Sequence, residues 1–158
     1  MRLKLSLTLI KTMSNTIEDF LTPDQEQEIV EAIILAEKQT SGEIRVHIEK
    51  TSNGDVNERA HDVFHLLKMD ETELQNGVLI YVAVLDRSFV ICGDKGIDKV
   101  VPENFWNTTK KAIEIQFKKG LFKNGIMEGV LMAGEQLKQF FPFTDNDKNE
   151  LDNEISKG

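Results

Sequence analysis

The run Val78-Leu79-Ile80-Tyr81-Val82-Ala83-Val84-Leu85 carries no alternation of polar and apolar residues. A strand solvated on one face alternates, whereas one without alternation is covered on both, so this segment predicts a central strand with a layer packed on each side. Asn76-Gly77 opens the run, and Asp86-Arg87 supplies a tight turn into Ser88-Phe89-Val90-Ile91-Cys92, which predicts an antiparallel hairpin. Upstream, Ile44, Val46 and Ile48 alternate with Arg45, His47 and Glu49, the period of a half-covered strand.

Helical patterns occupy the remaining stretches. Thr22-Pro23-Asp24-Gln25 reads as a helix start, with Thr22 capping, Pro23 in the first helical position and Gln25 returning a bond to the cap. The helix is expected to run to about Gln39, burying Ile29, Ala32, Ile33 and Ala36, with Gly42 as the break. A second stripe comprises Ala60, Val63, Phe64 and Leu67. Pro102 and Gly120 bracket a third helix carrying Trp106, Ile113 and Phe117. A fourth is expected after Asn124-Gly125, with Ile126, Val130, Ala133, Leu137 and Phe140 on one face and Pro142 as its stop.

A helix between the strand at Ile44–Ile48 and the one at Val78–Leu85 makes a βαβ unit, whose strands are expected to be parallel. The hairpin then returns antiparallel. Three loops therefore converge on one edge of the sheet: Thr40-Ser41-Gly42-Glu43, Gln75-Asn76-Gly77 and Gly93-Asp94-Lys95-Gly96-Ile97.

A chain of 158 residues supports one well-buried core, and no hydrophobic stretch is long enough to span a bilayer. Its formal charge of −8 repels phosphate backbones and anionic lipid surfaces, which argues against nucleic-acid and membrane-surface partners. The lone Cys92 cannot form an internal disulfide. Residues 1–12 imitate the start of an export signal, with Arg2 and Lys4 ahead of Leu5–Ile10, but Lys11 interrupts the run and no small-x-small cleavage site follows. They are read as an extension or a mis-assigned start, which places the protein in the cytoplasm, with export as the alternative. Residues 13–143 form the domain. Residues 144–158 form a polar, acidic tail without apolar periodicity, expected to be extended or frayed. The expected state is a monomer, with an unknown protein partner left open.

The ordered set Ala36-Glu37-x-x-Thr40-x-Gly42-Glu43-Ile44, Phe64-x-x-Leu67, Asn76-Gly77-Val78-Leu79-Ile80, Arg87, Ile91-x-Gly93-Asp94-x-Gly96-Ile97, Trp106 and Gly120-x-Phe122-x-x-Gly125-Ile126 resembles the TPM domain family from about Ile17 to Phe141. That family includes a thylakoid-lumen acid phosphatase of photosystem repair and many small bacterial proteins. The resemblance implies a Rossmann-like α/β fold, a three-layer sandwich with a mixed sheet flanked by helices. For some members it also implies binding of calcium or another divalent cation and acid phosphatase activity. The more acidic Asp-Gly-Asp loop of some relatives is replaced here by Gly93-Asp94-Lys95-Gly96.

At the convergent edge, Glu43, Asn76, Asp94 and Asp98 are the candidate ligands for calcium or magnesium. Hard cations take several oxygen ligands, and Gly42, Gly77, Gly93 and Gly96 would let backbone carbonyls turn inward. The plainer reading is that these glycines permit turns, Asp94 caps one and Glu43 faces solvent. Were phosphate monoesters hydrolysed, a cation at Asp94 and Glu43 would activate water, with Lys95 as the anion contact. Arg87 is expected at the far end of the sheet. Cys92 reads as a small buried hydrophobe without a Cys-x5-Arg cradle. His61 and His65 share a helix face and could clasp one zinc, but Asp62 stands where a metalloprotease carries Glu, and no third ligand is evident. Two functions of different class follow: a divalent-cation-binding interaction or stress-related module, and, alternatively, a metal-dependent acid phosphatase.

Overall fold

The computed structural model describes residues 20–144 and 150–158. The predicted N-terminal extension lies outside the described residues. Helix α1 (Pro23–Glu37) starts on the predicted capping box: Thr22 Oγ1 accepts from Gln25 N–H at 3.2 Å, and Gln25 Oε1 accepts from Thr22 N–H at 3.0 Å. It leads into β1 (Glu43–Glu49), α2 (Val56–Leu66), a 3₁₀ turn (Met69–Glu71) and the hairpin of β2 (Gly77–Ala83) and β3 (Ser88–Gly93). A single helical turn, α3 (Lys95–Asp98), precedes α4 (Asn107–Lys118), α5 (Phe122–Leu137) and β4 (Ser156–Lys157).

The sheet order is β3-β2-β1-β4. Strand β1 pairs in parallel with β2 from Glu43 opposite Gly77 to Glu49 opposite Ala83, and β2 pairs antiparallel with β3 from Val78 opposite Gly93 to Ala83 opposite Ser88. Every residue of β2 is buried, as the unbroken apolar run requires. Val78, Ile80 and Val82 pack with Ile44, Val46 and Ile48 against α1, α4 and α5, while Leu79, Tyr81 and Ala83 face Ala60, Val63 and Phe64 of α2. This is an α/β three-layer sandwich on an open, mixed sheet. Full burial of each Val, Leu or Ile contributes about 1.5–3 kcal/mol, so the double covering of β2 commits both helical layers to the sheet.

Five sequence expectations are corrected. Strand β1 is not half-covered: His47 and Glu49 are buried along with the apolar residues, because α2 and the end of the chain cover the polar face. The tail does not remain wholly unpaired; Ser156 and Lys157 pair in parallel with His47 and Ile48. Pro102 does not open α4, since Pro102–Trp106 form turns closed by Phe105 N–H to Pro102 O and Asn107 N–H to Asn104 O. Asn124-Gly125 lies inside α5 rather than before it. Phe140 falls beyond the helix end and is partly exposed.

Those glycines serve packing. A Cβ at Gly125 would stand 2.7 Å from the Phe117 ring, and one at Gly134 would stand 2.7 Å from Ala36 Cβ and 3.0 Å from Ala36 Cα. Gly134 thus sets how closely α5 approaches α1. In Gly134→Val the two helices must separate, and a loss of about 1–3 kcal/mol is expected in urea denaturation, with no change in the far-ultraviolet circular dichroism of the folded protein.

Candidate functional site

The register of β1, β2 and β3 brings the three predicted loops together on one edge. Glu43 N–H donates to Asn76 O at 3.3 Å, Asp94 N–H to Gly77 O at 3.0 Å, and Gly96 N–H to Gln75 O at 2.8 Å. Gly96 is required by this approach, because a Cβ there would collide with the carbonyl oxygens of Leu74 and Gln75. Gly77 is tight against Met69 O, Gly42 against Leu137 Cδ1, and Gly93 has ordinary space.

Asp94 caps α3, its Oδ1 accepting from Lys95 N–H at 2.8 Å. Its Oδ2 is buried and has no hydrogen-bond partner, and the residue is 7% exposed. Burial and the Asp94 carboxylate push Asp98 above the ordinary aspartate value. Burial, then Asp98 and Asp94, push the Cys92 thiol up to about 11, so Cys92 is held as a protonated thiol and is no nucleophile at neutral pH. Lys95 is exposed at this edge. Arg87 sits at the opposite edge, as expected, in a groove of about 660 Å³ with Phe117 and Phe122.

Glu43 does not face solvent; it is 3% exposed. Its Oε1 accepts from Glu150 N–H at 2.7 Å, and its carboxyl also hydrogen-bonds that of Glu37. Glu37 Oε2 in turn accepts from Ile44 N–H at 2.8 Å. Burial pushes both carboxyls above the glutamate range, Glu37 to about 8. Asn76, buried, donates from Nδ2 to Ser41 Oγ at 3.4 Å. Of the four candidate ligands, Asp94 and Asp98 interact directly through their charges, while Glu43 is engaged with Glu37 and the tail. Among the described residues, no three His, Cys, Asp or Glu side chains are gathered as a metal-holding group.

Sequence reasoning missed a polar cluster under α2. Arg59 reaches from α2 to Glu49, with Nε 2.8 Å from Oε2 and Nη2 2.9 Å from Oε1. The Tyr81 hydroxyl donates to Oε2, and His47 Nε2 lies 3.2 Å from Oε1. On its other side, His47 Nδ1 meets Ser156 Oγ at 3.0 Å, tying β4 to the cluster. Burial alone would raise Glu49, but the bonds from Arg59, Tyr81 and His47 outweigh it and hold Glu49 down at about 2. Burial depresses His47 against the pull of Glu49. The available signal was Tyr81, the one hydroxyl in the apolar run, which must find a partner once buried. His61 and His65 lie one turn apart on the exposed side of α2.

The profile of the TPM domain matches residues 15–136. The BA42 protein of the psychrophilic bacterium Bizionia argentinensis, solved by NMR, is 61% identical, with 90% of this chain and 98% of that one covered at a TM-score of 0.85. The N-terminal domain of a P. gingivalis protein shares the fold at 15% identity and a TM-score of 0.63, covering 80% of this chain and 88% of that one. No curated protein matches the chain. Among the described residues, no helix is long and apolar enough to cross a membrane.

Glu37 and Glu49 give opposite pH signatures. A carboxyl raised in the fold stabilises it fully below the unfolded value of 4.5, and that contribution is lost as pH rises toward about 8. Glu37→Gln keeps an acceptor for Ile44 N–H, so it is expected to remove on the order of 1–2 kcal/mol of this decline, read from urea midpoints across that window. Glu49, depressed in the fold, contributes above 4.5 and loses its contribution as pH falls toward about 2. Glu49→Gln leaves Arg59 and Tyr81 without a carboxylate, and thermal unfolding at neutral pH should show a loss of about 1–3 kcal/mol.

Proposed function

The chain belongs to the TPM domain family, and on that premise we propose that it is a divalent-cation-binding interaction module whose cation edge is formed by Asp94 and Asp98, with calcium as the fitting ion and magnesium as the alternative. The observation that carries this reading is the Asp94 Oδ2 atom, buried without a hydrogen-bond partner beside a second carboxyl that its charge disfavours from ionising. A buried carboxylate oxygen left without a donor is costly, and a cation supplies the missing partner. Two aspartates present hard oxygen donors, which suit calcium or magnesium, and water or loop carbonyls complete the coordination. Asn76 and Glu43 stand at the same edge through the hydrogen bond between Glu43 N–H and Asn76 O, so they respond to an ion there even where they do not ligate it.

Such an ion neutralises the edge of an acidic domain and orders α3 against the Leu74–Asn76 loop. An interaction role is preferred over catalysis because the edge offers no activated nucleophile: Cys92 is protonated, and the Glu43 carboxyl is engaged with Glu37 and Glu150. In a phosphatase, the cation would polarise a phosphate oxygen, with Lys95 near enough to the loop to offset charge.

Calcium titration followed by amide NMR is expected to shift Asp94, Asp98 and Asn76 together, and Asp94→Asn should weaken binding about 10-fold or more. Shifts confined to the acidic tail would remove the site. Cation-dependent turnover of a phosphate monoester, abolished in Asp94→Ala, would instead make the domain a metal-dependent phosphatase.

A further inference from the structure

The two histidines of α2 are set up for a different metal chemistry. Residues four apart project from one helix face, and here His61 Nε2 and His65 Nε2 stand 3.1 Å apart with their rings at 83°. A zinc-class ion bonds imidazole nitrogen at about 2.0–2.1 Å, so two such ligands at a tetrahedral angle are separated by roughly 3.3–3.4 Å. The pair is within a small rotation of that spacing, and both side chains are exposed.

The sequence does not reveal what orients the pair. After α2 the chain turns through Lys68, whose φ of 57° is left-handed, and enters the 3₁₀ turn that returns Asp70 to the helix. Asp70 Oδ2 lies 2.9 Å from His65 Nδ1. A carboxylate can only accept, so this bond places the His65 proton on Nδ1. With its proton on Nδ1, His65 presents the lone pair of Nε2 on the side of His61, whose own Nε2 is 3.1 Å away. Carboxylate, histidine and lone pair stand in the order that characterises protein zinc ligands and the partners that orient them.

We propose that His61 and His65 form a two-nitrogen site for a zinc-class divalent ion, with Asp70 as the positioning residue. On binding, the ion takes the place of the proton between the two Nε2 atoms. The proton displaced from His61 Nε2 passes to its Nδ1 through solvent, and water fills the other coordination positions. The site differs from the Asp94 edge in chemistry, since imidazole nitrogen suits zinc, nickel and copper, whereas calcium takes oxygen.

The test uses zinc chloride added to the full chain at about one pH unit above the ordinary histidine value, read by calorimetry and by histidine side-chain nitrogen NMR. The Nε2 signals of His61 and His65 should move together at one ion per chain, and calcium should leave them in place. His61→Ala should lose binding at least about 10-fold, and Asp70→Asn should weaken it about 10- to 100-fold while the helix circular dichroism stays unchanged. Zinc shifts centred on Asp94 and Asp98, or an affinity unaltered in either variant, would overturn the assignment.

Discussion

Glu49 closes β1 on a sheet face that α2 and the end of the chain cover together. An ionised carboxylate in such a place is tolerated only when donors surround it, and each donor comes from a different element: Arg59 from α2, Tyr81 from β2 and His47 from its own strand. His47 extends the chain of bonds to Ser156. The middle of the sheet, the helix over it and the fourth strand therefore share one set of hydrogen bonds, and the polar face of β1 is the reason that they do. The opposite face needs no such arrangement, since Ile44, Val46 and Ile48 pack apolar side chains against α1 and α5.

The same strand carries buried carboxyl chemistry of another kind at its start. Glu43 and Glu37 have each other and backbone N–H groups, but no basic side chain hydrogen-bonds either carboxyl among the described residues, and burial raises both. Glu49 has an arginine and is depressed. Glu37 and Glu43 are thus raised and Glu49 lowered because of the partners each one meets, not because of their positions along the chain. The Asp94 edge is a third case: one oxygen caps a helical turn, and the other has no donor. It is the absence of a basic partner for that oxygen, set beside Asp98, that supports a cation there.

Where the fold was legible, the reason was local or periodic. The Thr22 capping box is written in four adjacent residues, and the double covering of β2 is written in an unbroken apolar run. The convergence of the Glu43, Asn76 and Asp94 loops followed from strand direction alone, and the register places them so. Misreadings arose where one residue type serves two purposes. Asn124-Gly125 looks like a turn, but Gly125 sits in α5 to admit the Phe117 ring. Pro102 looks like a helix start, yet the chain makes turns for the next residues before α4 begins. Ser156 and Lys157 are too short a segment to show any period, and only the open edge of β1 makes them a strand.

The site shows the same division. Sequence alone identified the edge, the acidic residues on it and the shared face of His61 and His65, because strand order and helical spacing are set by local periodicity. Tertiary structure decided which of these groups are engaged and which are left over: Glu43 is drawn to Glu37 and Glu150, Asp94 keeps an unpartnered oxygen, and Asp70 is brought back to orient His65. Hydrogen-bond partners at such sites are chosen by proximity in space and by burial, and neither is encoded in the spacing of residues along the chain.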